Sequence, residues 1–153
     1  MGQVEKRLQE LGIQLPELVS PKGSYVLFKQ VGDLIFVSGQ SAFQGEEALY
    51  PGRVGAEVTV EQAREAACET GKLILAILQQ AAGTLDRIEI VKVTGYVAST
   101  PEFSQQPLVM NALSDLFSQI LGERGRHVRA TIATSNLAFH CCVEAETVAR
   151  LLP

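Results

Sequence analysis

The stretch Leu34-Ile35-Phe36-Val37-Ser38-Gly39-Gln40 decides how this chain folds. Side chains alternate between the two faces of a strand, and here four consecutive residues are apolar. Such a strand has apolar side chains on both faces and belongs in the middle of a sheet. It ends in Ser38-Gly39-Gln40, where a glycine lets another group come close to the backbone. Upstream, residues 24–30 read as a partner strand, with Val31-Gly32-Asp33 as the tight connection.

Working outward, Val4, Leu8 and Leu11 make the apolar side of a short N-terminal helix that Gly12 stops. Pro16, Pro21 and Gly23 mark an irregular connector, so residues 1–20 form a helix and linker ahead of the main unit. Residues 41–58 hold Gly45, Pro51, Gly52 and Gly55 and read as a long polar loop. Loops of that length often serve as lids or interface elements. Thr59-Val60-Glu61-Gln62 is a capping box that opens a helix running to about Ala82, with Gly83 as its stop. Its inner face is Ala63, Ala66, Ala67, Thr70, Ile74, Ile77, Leu78 and Ala81. Residues 87–98 form a β-branched strand. A second helix starts near Pro101 or Glu102 and ends at Leu121, with Pro107 marking either a kink or a later start. Its stripe is Met110, Leu113, Phe117, Ile120 and Leu121. Strands at about 128–134 and 139–149 close the chain.

The order is ββ-α-β-α-ββ after the short helix. It predicts an α+β fold in which two long helices pack on one face of a mixed sheet. The other face carries apolar side chains that no remaining helix can cover. Association with further copies of the chain is therefore expected.

The 153 residues suit a single domain, 1–153, and a composition of 46% hydrophobic and 20% charged residues is that of a globular protein. No apolar run reaches the roughly 20 residues that span a bilayer. The first residues lack the apolar core of a secretory signal, and Lys6 stands where a myristoylation motif prefers Ser or Thr. Three cysteines, Cys68, Cys141 and Cys142, with the last two adjacent, fit a reduced cytoplasmic protein. The net charge of −4 is the wrong sign for a nucleic-acid binder. The basic cluster Arg124, Arg126, His127 and Arg129 reads as a loop plus one functional arginine.

Two charges interrupt the closing strands. Arg129 lies in Val128-Arg129-Ala130-Thr131, and Glu144 follows fifteen positions later in Val143-Glu144-Ala145. A guanidinium can clamp a carboxylate with two hydrogen bonds, and a carboxylate can orient a water or move a proton. Arg129 shares a strand face with Thr131. A plain structural reading stands beside this one: if residues 135–138 form a hairpin turn, Arg129 falls opposite Glu144 as an ion pair. Other chemistry is weaker. Gly71-Lys72 lies in a helix and lacks the earlier glycine of a phosphate loop. His127 and His140 form no metal-binding pattern, and no Gly-x-Ser-x-Gly elbow is present.

Taken together, Leu34 to Gln40, Ile90 to Val97, Asn111 through Phe117 and the spaced pair Arg129 and Val143-Glu144-Ala145-Glu146 resemble the YjgF/Rid family. These are the reactive intermediate deaminases, also labelled endoribonuclease L-PSP. The chain's length, its N-terminal helix and the 41–58 loop resemble a larger-sized branch of it. The resemblance implies a chorismate-mutase-like fold and a homotrimer with ligand clefts between subunits. It implies that the last strand inserts beside the first strand and the 87–98 strand, so that Arg129 and Glu144 are not hairpin partners. By the same resemblance, Arg129 binds the carboxylate of a small metabolite and Glu144 orients the attacking water. Tyr25, Ser38 and the Gly39 backbone line the pocket. Thr131 stands where the family's deaminase core has a cysteine. The implied reaction is hydrolysis of enamine or imine acids of the 2-aminoacrylate type to 2-keto acids and ammonia, with no cofactor and no metal. The alternatives are a trimeric binding or regulatory protein for small carboxylates, and an endoribonuclease of the L-PSP type.

Overall fold

A computed structural model describes residues 1–153. Helix α1 (Gln3–Glu10) leads through a non-helical connector to strands β1 (Phe28–Val31) and β2 (Leu34–Gln40). A small hairpin follows, β3 (Phe43–Gln44) and β4 (Glu47–Ala48). Then come helix α2 (Val60–Ala82), strand β5 (Ile88–Ala98), helix α3 (Gln106–Leu121), and strands β6 (Val128–Thr134) and β7 (Val143–Leu151). The main sheet has the order β1-β2-β7-β5-β6. Only β5 and β6 run parallel; the other neighbours are antiparallel. This is the mixed α+β arrangement expected from the element order.

β2 lies inside the sheet, as its apolar run requires. Ile35 and Val37 are buried beneath the helices, whereas Phe36 on the opposite face is 44% exposed. The turn before it is two residues long, with Gly32 at φ 63° between the paired Val31 and Leu34. The preceding strand is shorter than expected. Its ladder begins at Phe28, because Val26 and Leu27 are tied to Ser38 by single hydrogen bonds instead.

α2 starts at the reciprocal capping box, with the Gln62 backbone N–H donating to Thr59 Oγ1 and the Thr59 N–H to Gln62 Oε1, and ends at Gly83. It packs over β2 and β7, while α3 packs over β5 and β6. The two helices cross at Gly71. A Cβ there would sit 3.0 Å from Leu116 Cδ2, so the glycine sets the helix spacing. α3 takes the later of its two possible starts. Pro107 falls in its first turn, where a missing N–H costs nothing. All five stripe residues of α3 are buried.

Several expectations need correction. The 128–134 and 139–149 segments do not form the hairpin of the plain structural reading, and Arg129 and Glu144 are not cross-strand partners, as the family resemblance implied. β6 runs parallel to β5 on the side away from β7. Residues 135–142 carry the chain past β5, turning at Phe139 and His140, which both have positive φ. β7 starts at Val143, so Cys141 and Cys142 precede it and both are buried. β7 does insert beside β5, but its other neighbour is β2 and not the first strand. Finally, the 41–58 segment, expected as a long polar loop, holds the β3–β4 hairpin and is anchored in the core. Ala48, Val54 and Val58 are buried, and Val54 bridges to Ser99 at the end of β5. No helix is long and apolar enough to cross a membrane.

Candidate functional site

The sheet register places the two charged residues of the closing strands on different faces. Val143, Ala145, Thr147 and Ala149 of β7 are buried under the helices, so Glu144 points to the open face. There it pairs with Tyr96 of β5, which pairs in turn with Ile132 of β6. Arg129 pairs with the buried Val93, on the helix side. It reaches α3, where Nη1 donates to Ser114 Oγ at 3.0 Å and Nη2 to Asn111 Oδ1 at 3.0 Å and to the Pro107 carbonyl at 3.4 Å.

Around Glu144 the chain forms a pocket. Gly39, at the irregular end of the β2–β7 ladder, lies so close that any Cβ would run into the Glu144 carboxylate. A cavity of about 130 Å³ opens beside them, lined by Tyr25, Gly39, Ser41, Cys141 and Glu144, with Phe43 and Phe139 as apolar walls. The two phenyl rings meet edge to face at 5.9 Å, and the Lys22 ammonium lies 4.3 Å from the Phe43 ring centre. Burial raises the Glu144 carboxyl above the usual 4.5, and the nearby Glu146 charge adds to this. A carboxylate so placed is a stronger base than a solvated one.

Around Arg129 lies a second cluster of polar groups. The guanidinium has no carboxylate partner within ion-pair distance. Its three hydrogen bonds leave the Nε–H and one Nη1–H for a ligand. Burial lowers its pKa somewhat, with the Asp115 charge opposing, and it remains a cation. Thr131, two residues on, faces the same side, and its Oγ1 is buried without a hydrogen-bond partner.

Of the residues singled out in the sequence, Tyr25 and Gly39 therefore join Glu144, and Thr131 joins Arg129. Ser38 lies outside the cavity. Its hydroxyl donates to the Val26 carbonyl at 2.6 Å, and the residue borders a neighbouring depression with Lys92 and Glu146. The basic cluster disperses. Arg124 donates to the carbonyls of Leu85, Asp86 and Ile88, and Arg126 pairs with Glu123. His127 turns inward to Ser114. Asn111, Ser114 and His127 were not recognised as site residues from sequence. Pro107, Asn111 and Ser114 stand at i, i+4 and i+7, one line along a helix, and that spacing was the available signal.

Residues 5–145 match the model of the family described as "YjgF/chorismate_mutase-like, putative endoribonuclease". The chain belongs to the YjgF/Rid family. It is 35% identical over 152 residues to Protein TCP17 of Trypanosoma cruzi, covering 98% of this chain and 95% of that protein. Among solved structures it is similar to an Agrobacterium tumefaciens protein of unknown function. The identity is 39% and the TM-score 0.87, covering 97% of this chain and 91% of the other. A Shewanella oneidensis protein described as a putative endoribonuclease is 30% identical with a TM-score of 0.93, covering 98% and 100% of the two chains. As a member of this family, the chain has its chorismate-mutase-like fold, and the insertion of β7 between β2 and β5 is its expression here.

Proposed function

We propose that this YjgF/Rid protein is a hydrolytic deaminase of small enamine and imine acids of the 2-aminoacrylate type, and that it works in a cleft shared between copies in a cytoplasmic homotrimer. One relationship supports the reading: the Arg129 guanidinium, held by Ser114 and Asn111 without a carboxylate partner, and the Glu144 carboxylate lie on opposite faces of one sheet, so a site that used both would draw on two chains. The open face supports such assembly. Phe36, Ile132 and Val128 stand on it 44%, 44% and 66% exposed, with Lys92 in the row between Val148 and Val128.

In this reading Arg129 of one copy holds the substrate carboxylate through its free N–H groups. Glu144 of the next copy takes a proton from a water as the water oxygen bonds to the imine carbon. The C=N π electrons move to nitrogen, which gains a proton, giving a carbinolamine. The nitrogen then takes up a second proton, the C–N bond breaks with its electrons leaving on ammonia, and the hydroxyl gives up its proton as the keto C=O forms, so the net transfer is one proton from hydroxyl to nitrogen. The imine carbon is already electrophilic, so anchoring and a placed base are the help required. The reading is tested by generating 2-aminoacrylate or 2-iminobutanoate with a serine or threonine dehydratase and following keto-acid release. Acceleration that is lost in Arg129→Ala supports the deaminase. Carboxylate binding without acceleration supports a regulatory binding protein instead. An RNA substrate is disfavoured by Glu144 and Glu146 on the open face and by the dispersal of the arginines.

A further inference from the structure

We infer that His127, acting through Ser114, is a positioning residue for Arg129: its neutral imidazole orients the Ser114 hydroxyl so that the serine oxygen accepts from the guanidinium and aims it at the ligand. This rests on the reading of Arg129 as the carboxylate anchor.

The hydrogen bonds determine the proton order along the chain of groups. His127 Nδ1 lies 2.7 Å from the Gly125 carbonyl, which can only accept, so Nδ1 carries the proton. In the neutral ring Nε2 is then an acceptor. It lies 2.9 Å from Ser114 Oγ, so the serine donates its only hydrogen to histidine. The serine oxygen is left to accept from Arg129 Nη1. Asn111 Oδ1 receives the other side of the fork. The guanidinium is thus oriented by acceptors alone, with no carboxylate to compete with a ligand for it. The imidazole itself is fixed by an edge-to-face contact with Phe117 at 5.8 Å.

Protonation reverses the order. An Nε2–H would point at Ser114 Oγ, the serine hydrogen would need a new acceptor, and a second cation would stand beside Arg129. Burial works against this and lowers the His127 pKa from 6.5; the Gly125 carbonyl bond opposes the shift and the Arg129 charge adds to it. Arg129 on β6 is the charged group facing the ring. From α3 come Ser114 and Phe117, with Asp115 acting on Arg129, and from the preceding turn only the Gly125 carbonyl. Glu123, Arg124 and Arg126 in that turn are engaged elsewhere.

The test is calorimetric binding of 2-oxobutanoate, the keto acid from 2-iminobutanoate, to the full chain. At pH 7.5, His127→Phe keeps a ring against Phe117 but offers Ser114 no acceptor, and is expected to weaken binding about 10-fold. His127→Gln returns an acceptor and is expected to bind within about 2-fold of the parent. Ser114→Ala should weaken binding as His127→Phe does, and the double variant should be no worse than either single one. The parent should lose affinity as pH falls through the His127 titration below about 6.5, and His127→Gln should lack that loss. Unchanged binding in His127→Phe, or equal loss in the Phe and Gln variants, overturns the inference. If Arg129→Ala binds like the parent, the anchor reading itself fails. If Arg129→Ala loses binding while His127→Phe keeps it, only the inference fails. Should His127→Phe not fold, nitrogen-15 NMR of the parent decides: a bare Nε2 at neutral pH supports the relay, and a protonated Nε2 overturns it.

Discussion

Arg129 and Glu144 project from opposite faces of one sheet, with β5 running between their strands. Within one chain the sheet itself stands between the two side chains. If both serve one ligand, they do so from different copies. Mixing inactive chains tests this. Arg129→Ala and Glu144→Gln homo-oligomers should each lose at least about 100-fold in keto-acid release. Oligomers reassembled from an equal mixture should regain about one quarter of parental activity, because some clefts then combine an intact arginine with an intact glutamate. A mixture as inactive as its parents would mean that the site lies within one chain.

The burial that makes Glu144 a better base also makes it costly to ionise. Its folded pKa is raised, so the native state binds the proton more tightly than the unfolded chain does. Glu144 therefore favours folding at low pH, and that contribution is lost as pH rises from about 4.5 through the raised pKa. Glu144→Gln should remove this cost, raising Tm by roughly 1–3 °C at pH 7 while abolishing turnover. In the parent the acid limb of the rate profile should lie above 4.5, since the base must be ionised. Thermal melts and pH–rate profiles on the same preparations check both.

His127 acts on stability with the opposite sign. Its folded pKa lies below 6.5, so as pH falls the unfolded chain takes up a proton that the native one refuses. Stability is fully present above about 6.5 and is lost as pH falls towards the depressed value. Denaturant titrations from pH 7.5 to 5.5 should show the midpoint falling in the parent and falling less in His127→Gln.

Much of this architecture was legible because local signals agreed with the fold. The capping box at Thr59, the glycine stop at Gly83 and the apolar stripes of α2 and α3 each depend on neighbours within a turn or two. The pairing of β7 did not depend on neighbours. Hairpin logic favours adjacent strands, and here the sheet instead receives β7 between β2 and β5, where its alternate residues Val143, Ala145, Thr147 and Ala149 can be buried under α2. That is a gain spread over the whole sheet, which no short window of sequence contains. The site divided along the same line. Arg129 and Glu144 stood out because each interrupts an apolar run. Ser114 and His127 are unremarkable residues in their own segments and acquire meaning only where β6 meets α3.

Gly39 is where the fold and the site meet most tightly. Its backbone lies against the Glu144 carboxylate, and the β2–β7 register shifts between Val37 and Gln40. A methyl group at position 39 would meet the flexible end of a side chain rather than backbone, so the carboxylate can swing aside and the fold should survive. The position of the carboxylate that the proposed reaction requires should not. Gly39→Ala is expected to leave Tm within about 2 °C of the parent and to lower keto-acid release by about 10- to 100-fold. Binding of 2-oxobutanoate should change by less than about 3-fold if Arg129, on the other face of the sheet, is the carboxylate anchor as proposed. Loss of binding equal to the loss of rate would show instead that Gly39 contributes to holding the ligand, and that both faces of the sheet share the anchoring role.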